Sequence, residues 1–322
     1  MLTLNILIFL FSCLLLIYSG NWLVKSLSQI SEILGLKRFT VAFLLMSLAT
    51  AAPELFIGIS SALRGISELS LGNIIGQNII HFTVAVFICV LISGGFWVKS
   101  KIIRTTALFS AFIALFPLLL ILDGNLSRID GVILIGLFGV YVFRMLKNSK
   151  KYDTSFDDSQ TKNNESIFKR ISLFFSDFGH FIFGSVLLLI ASQGIVKSSI
   201  FFAEKFNMPL VMVGVLIVSL GTALPEVYFS AFSAKKKEGE LMAGNLLGST
   251  VISTCLVLGI VSIISPINNI HFFSYFLSRS VLFVSAIFFI YFMLTGRKIS
   301  LKESLILFLF YVVFIFLEIF SK

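Results

Sequence analysis

The 322-residue chain has little charge: only 13% of its residues are Asp, Glu, Lys or Arg, whereas 57% are hydrophobic and the mean hydropathy is +1.02. A soluble globular domain carries about twice that share of charge. The short segments of alternating hydrophobicity that are typical of a membrane β-barrel are also missing. Apolar runs of about 20 residues recur instead, and each can cross a hydrocarbon core ~30 Å thick as a helix. The sequence therefore predicts an all-α, polytopic membrane protein.

Other scarce features exclude further classes. The three cysteines, Cys13, Cys89 and Cys255, lie in apolar runs without paired loop spacing, which indicates small apolar residues rather than a disulfide or metal ligands. The first apolar run lacks a basic n-region and a small-x-small cleavage site, so we expect a retained helix and not a signal peptide. The net charge of +9 comes from basic residues in short loops and does not indicate a nucleic-acid partner.

The apolar runs predict about ten transmembrane helices in two five-helix halves. The predicted spans are roughly 3–23, 39–63, 69–93, 103–122, 129–146, 178–197, 209–234, 240–264, 273–295 and 303–320. Residues 147–177 form the one long polar segment and predict a linker. The predicted halves are thus 1–146 and 178–322.

Loop charges predict how the chain lies in the membrane. Of the 25 Lys and Arg residues, 19 fall in the loops after predicted helices 1, 3, 5, 7 and 9, and six fall on the other side. Because basic loops stay in the cytoplasm, we expect a cytoplasmic linker and both termini outside, in the inner (cell) membrane with lipid as the surrounding partner. Predicted helices 2 and 7 then run in opposite directions, so the two halves would be inverted repeats, a layout typical of secondary transporters.

One motif occurs twice in matching places. Residues 47–54 read S-L-A-T-A-A-P-E with G-N-I-I-G-Q-N at 72–78, and residues 219–226 read S-L-G-T-A-L-P-E with G-N-L-L-G-S-T at 244–250. The offset is 172 residues throughout, and 13 of the 30 aligned positions that begin at Ser47 and Ser219 are identical. Such a match indicates an internal repeat, with its polar residues inside predicted spans.

Each copy places a carboxylate, Glu54 or Glu226, in the middle of a predicted span. A carboxylate at that depth costs at least ~2.5 kcal/mol unless it is paired, protonated or bound to a cation. The preceding proline removes a backbone donor and so frees a carbonyl one turn earlier. Thr50 and Thr222 lie four residues before the glutamates and share their helix faces. Two such clusters facing each other would form an oxygen-rich site for a hard cation, suited to Ca²⁺.

The alternative is that each glutamate pairs with a buried base and only connects helices. The predicted spans contain almost no interior base, and Arg279 is the one near candidate. A cation site is therefore the preferred interpretation of Glu54, Glu226, Thr50 and Thr222.

A second polar stripe follows each motif at a spacing of four residues, which lines one face of a helix. It is expected to line the ion path, with plain hydrogen bonding between helices as the alternative. The stripe residues are Asn73, Gln77 and His81 in the first copy and Asn245, Ser249 and Ser253 in the second.

The doubled motif resembles the two α-repeats of the Ca²⁺/cation antiporter superfamily, sodium/calcium exchanger type, with the pattern G-T-S-x-P-E followed by G-N-x-x-G-S-N/D. The resemblance implies that Glu54 and Glu226 bind Ca²⁺, that Thr50 and Thr222 contribute oxygens, and that Asn73 and Asn245 are the motif asparagines. It implies a secondary active antiporter, not an enzyme, that exports Ca²⁺ in exchange for Na⁺. No cofactor beyond the transported ions, and no protein partner, is expected.

The motif also departs from the family pattern. Ala51 and Ala223 replace serines, Gln77 replaces the serine of the first G-S-N, and His81 and Ser253 stand where Asn or Asp is frequent. Several ligands that the family associates with sodium are therefore absent. Two alternatives stay open: a Ca²⁺ (or other cation)/H⁺ antiporter in which a protonated His81 serves as a built-in cation, and a degenerate member that does not transport.

Overall fold

The structure is a computed structural model that describes residues 2–33, 47–97, 101–152, 167–236, 239–268, 270, 276–296 and 298–320. Within these ranges the chain is almost entirely helical, as expected from its long apolar runs. The helices of the first half are α1 (Leu2–Ile33), α2 (Ala52–Leu63), α3 (Ser67–Ile80), α4 (Val86–Ser93), α5 (Lys101–Leu120) and α6 (Arg128–Tyr152). Residues 47–50 are also helical and are separated from α2 by a turn at Ala51.

The helices of the second half follow in a corresponding order. They are α7 (Ile167–Phe206), α8 (Leu210–Val213), α9 (Ser219–Lys235), α10 (Gly239–Val251), α11 (Leu258–Ile264), α12 (Phe276–Thr295) and α13 (Leu301–Phe320). Two short strands, β1 (Phe96–Trp97) and β2 (Lys298–Ile299), pair antiparallel, with Phe96 opposite Ile299 and Trp97 opposite Lys298. An isolated antiparallel bridge joins Leu126 to Ile267.

The prediction of a helical, multi-pass membrane protein is confirmed. Each of the ten predicted spans overlaps helix in the described residues, and seven helical segments there are long and apolar enough to cross a membrane. The exact number of ten and the inverted arrangement of the halves stay predictions. Helices α6 and α7 continue into the predicted linker, whose residues 153–166 lie outside the described part of the chain.

Three π-helical turns interrupt the helices that carry the repeated motif. They are His81–Ala85 between α3 and α4, Gly214–Val218 between α8 and α9, and Ile252–Val257 between α10 and α11. The first and third lie at nearly repeat-equivalent positions, since an offset of 172 places His81 at 253. A π turn adds a residue to the helix and rotates the side chains on either side of it, and such turns are frequent at functional sites.

The buried apolar residues form two clusters. The larger one joins α3 to α6 with α10 to α13 and includes Phe82, Phe289 and Phe314. The smaller one joins α1 and α7 to one side of α2 and the α8–α9 segment, through residues such as Leu16, Ile57 and Ile195. Helices α1 and α7 thus pack together against the motif-bearing helices but outside the larger cluster.

Glycines allow the motif helices of the two halves to approach closely. A Cβ atom at Gly72 of α3 would meet the backbone of Val211 in α8, and one at Gly214 would meet the backbone of Leu69 and Asn73. Gly194 of α7 faces Ser12 of α1 in a similarly tight contact. Small residues at helix contacts permit this packing in a membrane, where lipid offers no hydrophobic drive between helices.

Candidate ion-binding site

The two motif glutamates lie beside prolines in interrupted helices. Glu54 is in the first turn of α2, directly after Pro53, and Ala51 forms the turn that precedes this helix. Glu226 follows Pro225 inside α9, about two helix turns beyond the π turn that ends at Val218. Both glutamate side chains are 0% exposed. Both carboxylates therefore lie in the protein interior, where every polar group needs a partner.

Gln77 of α3 connects the two carboxylates. Its side-chain Nε2 donates to Glu54 Oε1 at 2.6 Å and reaches Glu226 Oε1 at 3.5 Å. Because both distances are measured from the same nitrogen, Glu54 Oε1 and Glu226 Oε1 also lie close to each other. One amide nitrogen holds the carboxylates of both motif copies at a single place.

Two threonine–asparagine pairs cross from one motif copy to the other. Thr50 Oγ1 donates to Asn245 Oδ1 at 3.1 Å, and Thr222 Oγ1 donates to Asn73 Oδ1 at 2.9 Å. The two pairs are equivalent under the 172-residue offset. The Asn245 amide is further fixed because its Nδ2 donates to the Glu226 backbone carbonyl at 3.2 Å and to Ser230 Oγ at 3.1 Å.

These contacts leave the site with more acceptors than donors. Each threonine has one hydroxyl hydrogen to share between an asparagine oxygen and a backbone carbonyl of its own helix, Ser47 O or Ser219 O, so the lone pairs of the hydroxyl oxygen remain free. Glu54 Oε2, Glu226 Oε2 and Gln77 Oε1 are buried, and none has a hydrogen-bond partner among the described residues. A cluster in which buried oxygens outnumber the available donors is chemically suited to a cation that prefers carboxylate, hydroxyl and carbonyl ligands.

The remaining stripe residues lie further along the same helices. His81 opens the first π turn and its Nδ1 lies 3.0 Å from Thr250 Oγ1 on α10. Ser249 Oγ donates to Leu246 O at 3.2 Å within its own helix. Ser253 Oγ is buried in the third π turn and has no hydrogen-bond partner in the described part of the chain. The hydrogen bonds thus join Gln77 to both glutamates, Asn245 to Glu226, and each threonine to an asparagine, whereas His81 and Ser249 bond to other groups.

The chemistry is not that of a histidine- or cysteine-rich metal centre. Among the described residues, no group of three His, Cys, Asp or Glu side chains is close enough to hold one metal ion. Zinc and similar ions favour such groups. The site instead offers two carboxylates and several neutral oxygens.

Some residues of this network were missed by the sequence analysis. Asn78 Nδ2 donates to Thr254 Oγ1 at 3.0 Å, and Thr250 contacts His81, so two further polar pairs join α3 to the α10–α11 segment. A signal was present, because a polar residue follows Gln77 and Ser249 in both motif copies. Ser230 offers no such signal, because its repeat-equivalent position holds Gly58.

Helix α1 runs alongside the site. A Cβ atom at Gly221, one turn before Pro225, would lie 2.8 Å from Cys13 Sγ, and one at Gly20 would lie 4.0 Å from Pro53 Cγ. Helix α7 contacts the end of α2, where Ser60 Oγ and Ser192 Oγ are 3.0 Å apart and Arg64 donates to Gln193. The α1–α7 pair therefore borders the prolines and the far end of a motif helix.

A multi-pass helical protein with two carboxylates buried between motif-bearing helices belongs to the class of membrane ion transporters. A family model described as "Sodium/calcium exchanger protein" matches residues 4–147 and 176–320. The chain belongs to this family of membrane antiporters, and the resemblance seen in the motifs is confirmed.

Relatives and solved structures agree with this assignment. The sodium/calcium exchanger MaX1 of Methanosarcina acetivorans is 25% identical over 98% of this chain and 98% of its own. The inner membrane protein YrbG of Escherichia coli is 23% identical over 79% of this chain and 78% of its own. A solved structure of the sodium-calcium exchanger NCX_Mj, soaked with Na⁺ and Sr²⁺, superimposes with a TM-score of 0.66 at 22% identity over 98% of both chains. The last likeness concerns the fold.

Proposed function

We propose that this chain is a secondary active antiporter that exports Ca²⁺ in exchange for Na⁺, with Glu54 and Glu226 as the carboxylates of its ion site. Thr50 and Thr222 supply hydroxyl ligands, and Asn73 and Asn245 hold those hydroxyls in place. Gln77 lies between the two carboxylates, and the polar residues Ser249, His81 and Ser253 line the path to the site. No cofactor takes part other than the transported ions.

The observation that carries this proposal is the meeting of both motif carboxylates at Gln77. A single nitrogen lies 2.6 Å from one carboxylate oxygen and 3.5 Å from the other. Two carboxylates this close repel one another and pull a cation between them. A divalent ion would neutralise both, which suits Ca²⁺ and its preference for several oxygen ligands.

Obligatory exchange follows from the cost of an uncompensated charge. Once a Ca²⁺ ion leaves, two buried carboxylates would remain in an environment of low polarity, which is strongly unfavourable. The site must bind counter-ions before the protein can occlude it and turn it to the other side. We assign this turning to a sliding of α1 and α7 past the motif helices, because these two helices pack outside the larger apolar cluster.

The orientation is part of the proposal. The cytoplasmic side is the side of the 19 basic residues, so both termini face outward and the segment between α6 and α7 is cytoplasmic. In that orientation the two halves are inverted repeats, and the two threonine–asparagine pairs are exchanged by their pseudo-two-fold axis. Location in an inner membrane is supported by the name of the relative YrbG.

Equilibrium binding of radiolabelled Ca²⁺ to the purified protein tests the site. We expect saturable binding that Na⁺ displaces, and we expect Glu54→Gln and Glu226→Gln to weaken it severely, because each removes one of the two charges. Glu303→Gln is the matched control, since Glu303 caps the start of α13 through Ser300 and lies outside the site. Ca²⁺ binding that survives both site variants would refute the assignment.

A second candidate is exchange of Ca²⁺ or another cation for H⁺, and one observation at His81 favours it. When Thr250 Oγ1 donates its hydrogen to Leu246 O at 3.0 Å, it accepts from His81 Nδ1, which also lies 3.0 Å away. The other ring nitrogen, Nε2, is then free of hydrogen in the neutral ring, and it is buried without a hydrogen-bond partner among the described residues. Such a nitrogen is available to take up a proton.

The pH dependence of transport distinguishes the two candidates. Under the proton hypothesis, His81→Asn removes a titrating group and flattens the pH profile of Ca²⁺ transport. The exposed residue His180 on α7 gives the matched control, His180→Asn. An unchanged profile in His81→Asn would exclude His81 as the proton carrier.

A further inference from the structure

Gln77 occupies the position between the carboxylates, and its side chain has two chemically different ends. The Nε2 end faces Glu54 and Glu226, whereas the Oε1 end is buried and finds no hydrogen-bond donor in the described residues. The orientation is dictated by chemistry, since an amide oxygen turned toward two ionised carboxylates would meet only acceptors. The side chain thus donates hydrogen bonds to the carboxylates, while its own oxygen receives none from the described residues.

The feature is peculiar to one motif copy. The repeat-equivalent residue is Ser249, whose short hydroxyl bonds to Leu246 O of its own helix and does not reach across. Gln77 is longer by two heavy atoms of chain and can place its amide between carboxylates that belong to α2 and α9. The asymmetry comes from the sequence and not from the fold.

We propose that Gln77 is a tethered competitor for the ion site, and that its amide must rotate when a cation binds, so that Oε1 replaces Nε2 at the carboxylates. The inference rests on the proposed function and deepens it, because it assigns cation selectivity to one residue. In the absence of a cation, the N–H groups offset only part of the cost of the two buried carboxylates. When a cation enters, those hydrogen bonds are lost and Oε1 becomes a ligand.

The exchange of amide ends favours divalent over monovalent ions. The cost of breaking the two charge-assisted hydrogen bonds is the same for any cation. The gain from turning Oε1 toward the ion grows with the charge of the ion. The fixed cost cancels in the ratio of the two affinities, so the larger gain of a divalent ion at Oε1 is what makes Gln77 lower the affinity for Na⁺ relative to Ca²⁺.

Radiolabelled Ca²⁺ binding with Na⁺ displacement measures this selectivity in the full-length purified protein. Gln77→Met keeps the bulk of the side chain but removes both amide ends, and Gln77→Ser introduces the residue type of the other motif copy. In both variants the ratio of the Ca²⁺ affinity to the Na⁺ affinity should fall about tenfold, because the lost contact with Oε1 is worth more to Ca²⁺, by about the energy of one hydrogen bond to a charged group.

Thr83→Ala is the matched control, because the buried Thr83 hydroxyl donates only to Ile79 O of its own helix. We expect wild-type selectivity in this variant. Equal loss of Ca²⁺ and Na⁺ binding in both Gln77 variants, or an unchanged ratio of the Ca²⁺ affinity to the Na⁺ affinity, would overturn the inference. The antiporter proposal would remain intact. A wild-type protein that binds neither ion would overturn both.

Discussion

The close approach of α3 and α8 gives a prediction whose size follows from the structure. A Cβ atom at Gly72 would lie within 3.0 Å of three backbone atoms of Val211, its carbonyl oxygen, carbonyl carbon and Cα. Real Cβ atoms essentially never come that close, and a backbone segment cannot move aside as a flexible side chain can. Gly72→Ala should therefore force the motif helices of the two halves apart.

The expected cost combines two opposing effects. Overpacking of this kind costs about 1–3 kcal/mol, and a contact with three backbone atoms belongs at the upper end. Alanine in place of glycine returns about 1 kcal/mol of helix propensity. The net loss of about 2 kcal/mol corresponds to a melting temperature lower by roughly 4–8 °C.

The assay is thermal unfolding of the detergent-purified protein, with Gly136→Ala as the control. Gly136 also lies in a helix, α6, but no described atom lies within 4 Å of a Cβ built there. We expect this control to melt at or slightly above the wild-type temperature. If Gly72→Ala melts with the control, the close packing of α3 on α8 is refuted.

Three further predictions address the site and its surroundings. Thr50→Val and Thr222→Val should each weaken Ca²⁺ binding, and to a similar extent of about fivefold, because equivalent hydroxyl–asparagine bonds hold them; a much larger effect of one variant in binding assays would contradict the equivalence of the pairs. A disulfide between Ser60→Cys and Ser192→Cys, in a background without the native cysteines, should stop Ca²⁺ uptake until a reductant is added, since it ties α7 to α2; uptake that continues after oxidation would exclude sliding at this contact. Ser127→Ala should lower stability by about 1 kcal/mol through loss of the cap of α6, without a change in Ca²⁺ binding; a change in binding would show that this end of α6 acts on the site.

The sequence was informative where the signal lay in residue type and depth. A carboxylate after a proline in an apolar run is costly, and its recurrence at Glu54 and Glu226 with one fixed offset drew attention to both positions. The long apolar runs likewise predicted helices, because only helices satisfy backbone groups in lipid. These inferences require no knowledge of how the helices pack.

The sequence was less informative where the signal lies in packing across the two halves. The pairing of Thr50 with Asn245, rather than with a nearer residue, depends on how close the helical segment 47–50 and α10 come. Glycines such as Gly72 set distances of this kind without specifying partners. The π turns depend on the same tertiary contacts and leave no mark in composition. Gln77 was predicted to line the ion path in place of the family serine, but its position between both carboxylates was not predicted.

Transport measurements test whether the protein exchanges Ca²⁺ for Na⁺ through a site formed by Glu54 and Glu226. Radiolabelled Ca²⁺ uptake into proteoliposomes should be measured under an imposed Na⁺ gradient and, separately, under an imposed pH gradient, with Glu54→Gln and Glu226→Gln reconstituted in parallel. The account predicts uptake driven by the Na⁺ gradient that both variants abolish. Uptake driven by the pH gradient alone would transfer the coupling to H⁺ and to His81. Uptake under neither gradient, or uptake that persists in both glutamate variants, would contradict Ca²⁺ antiport through this site.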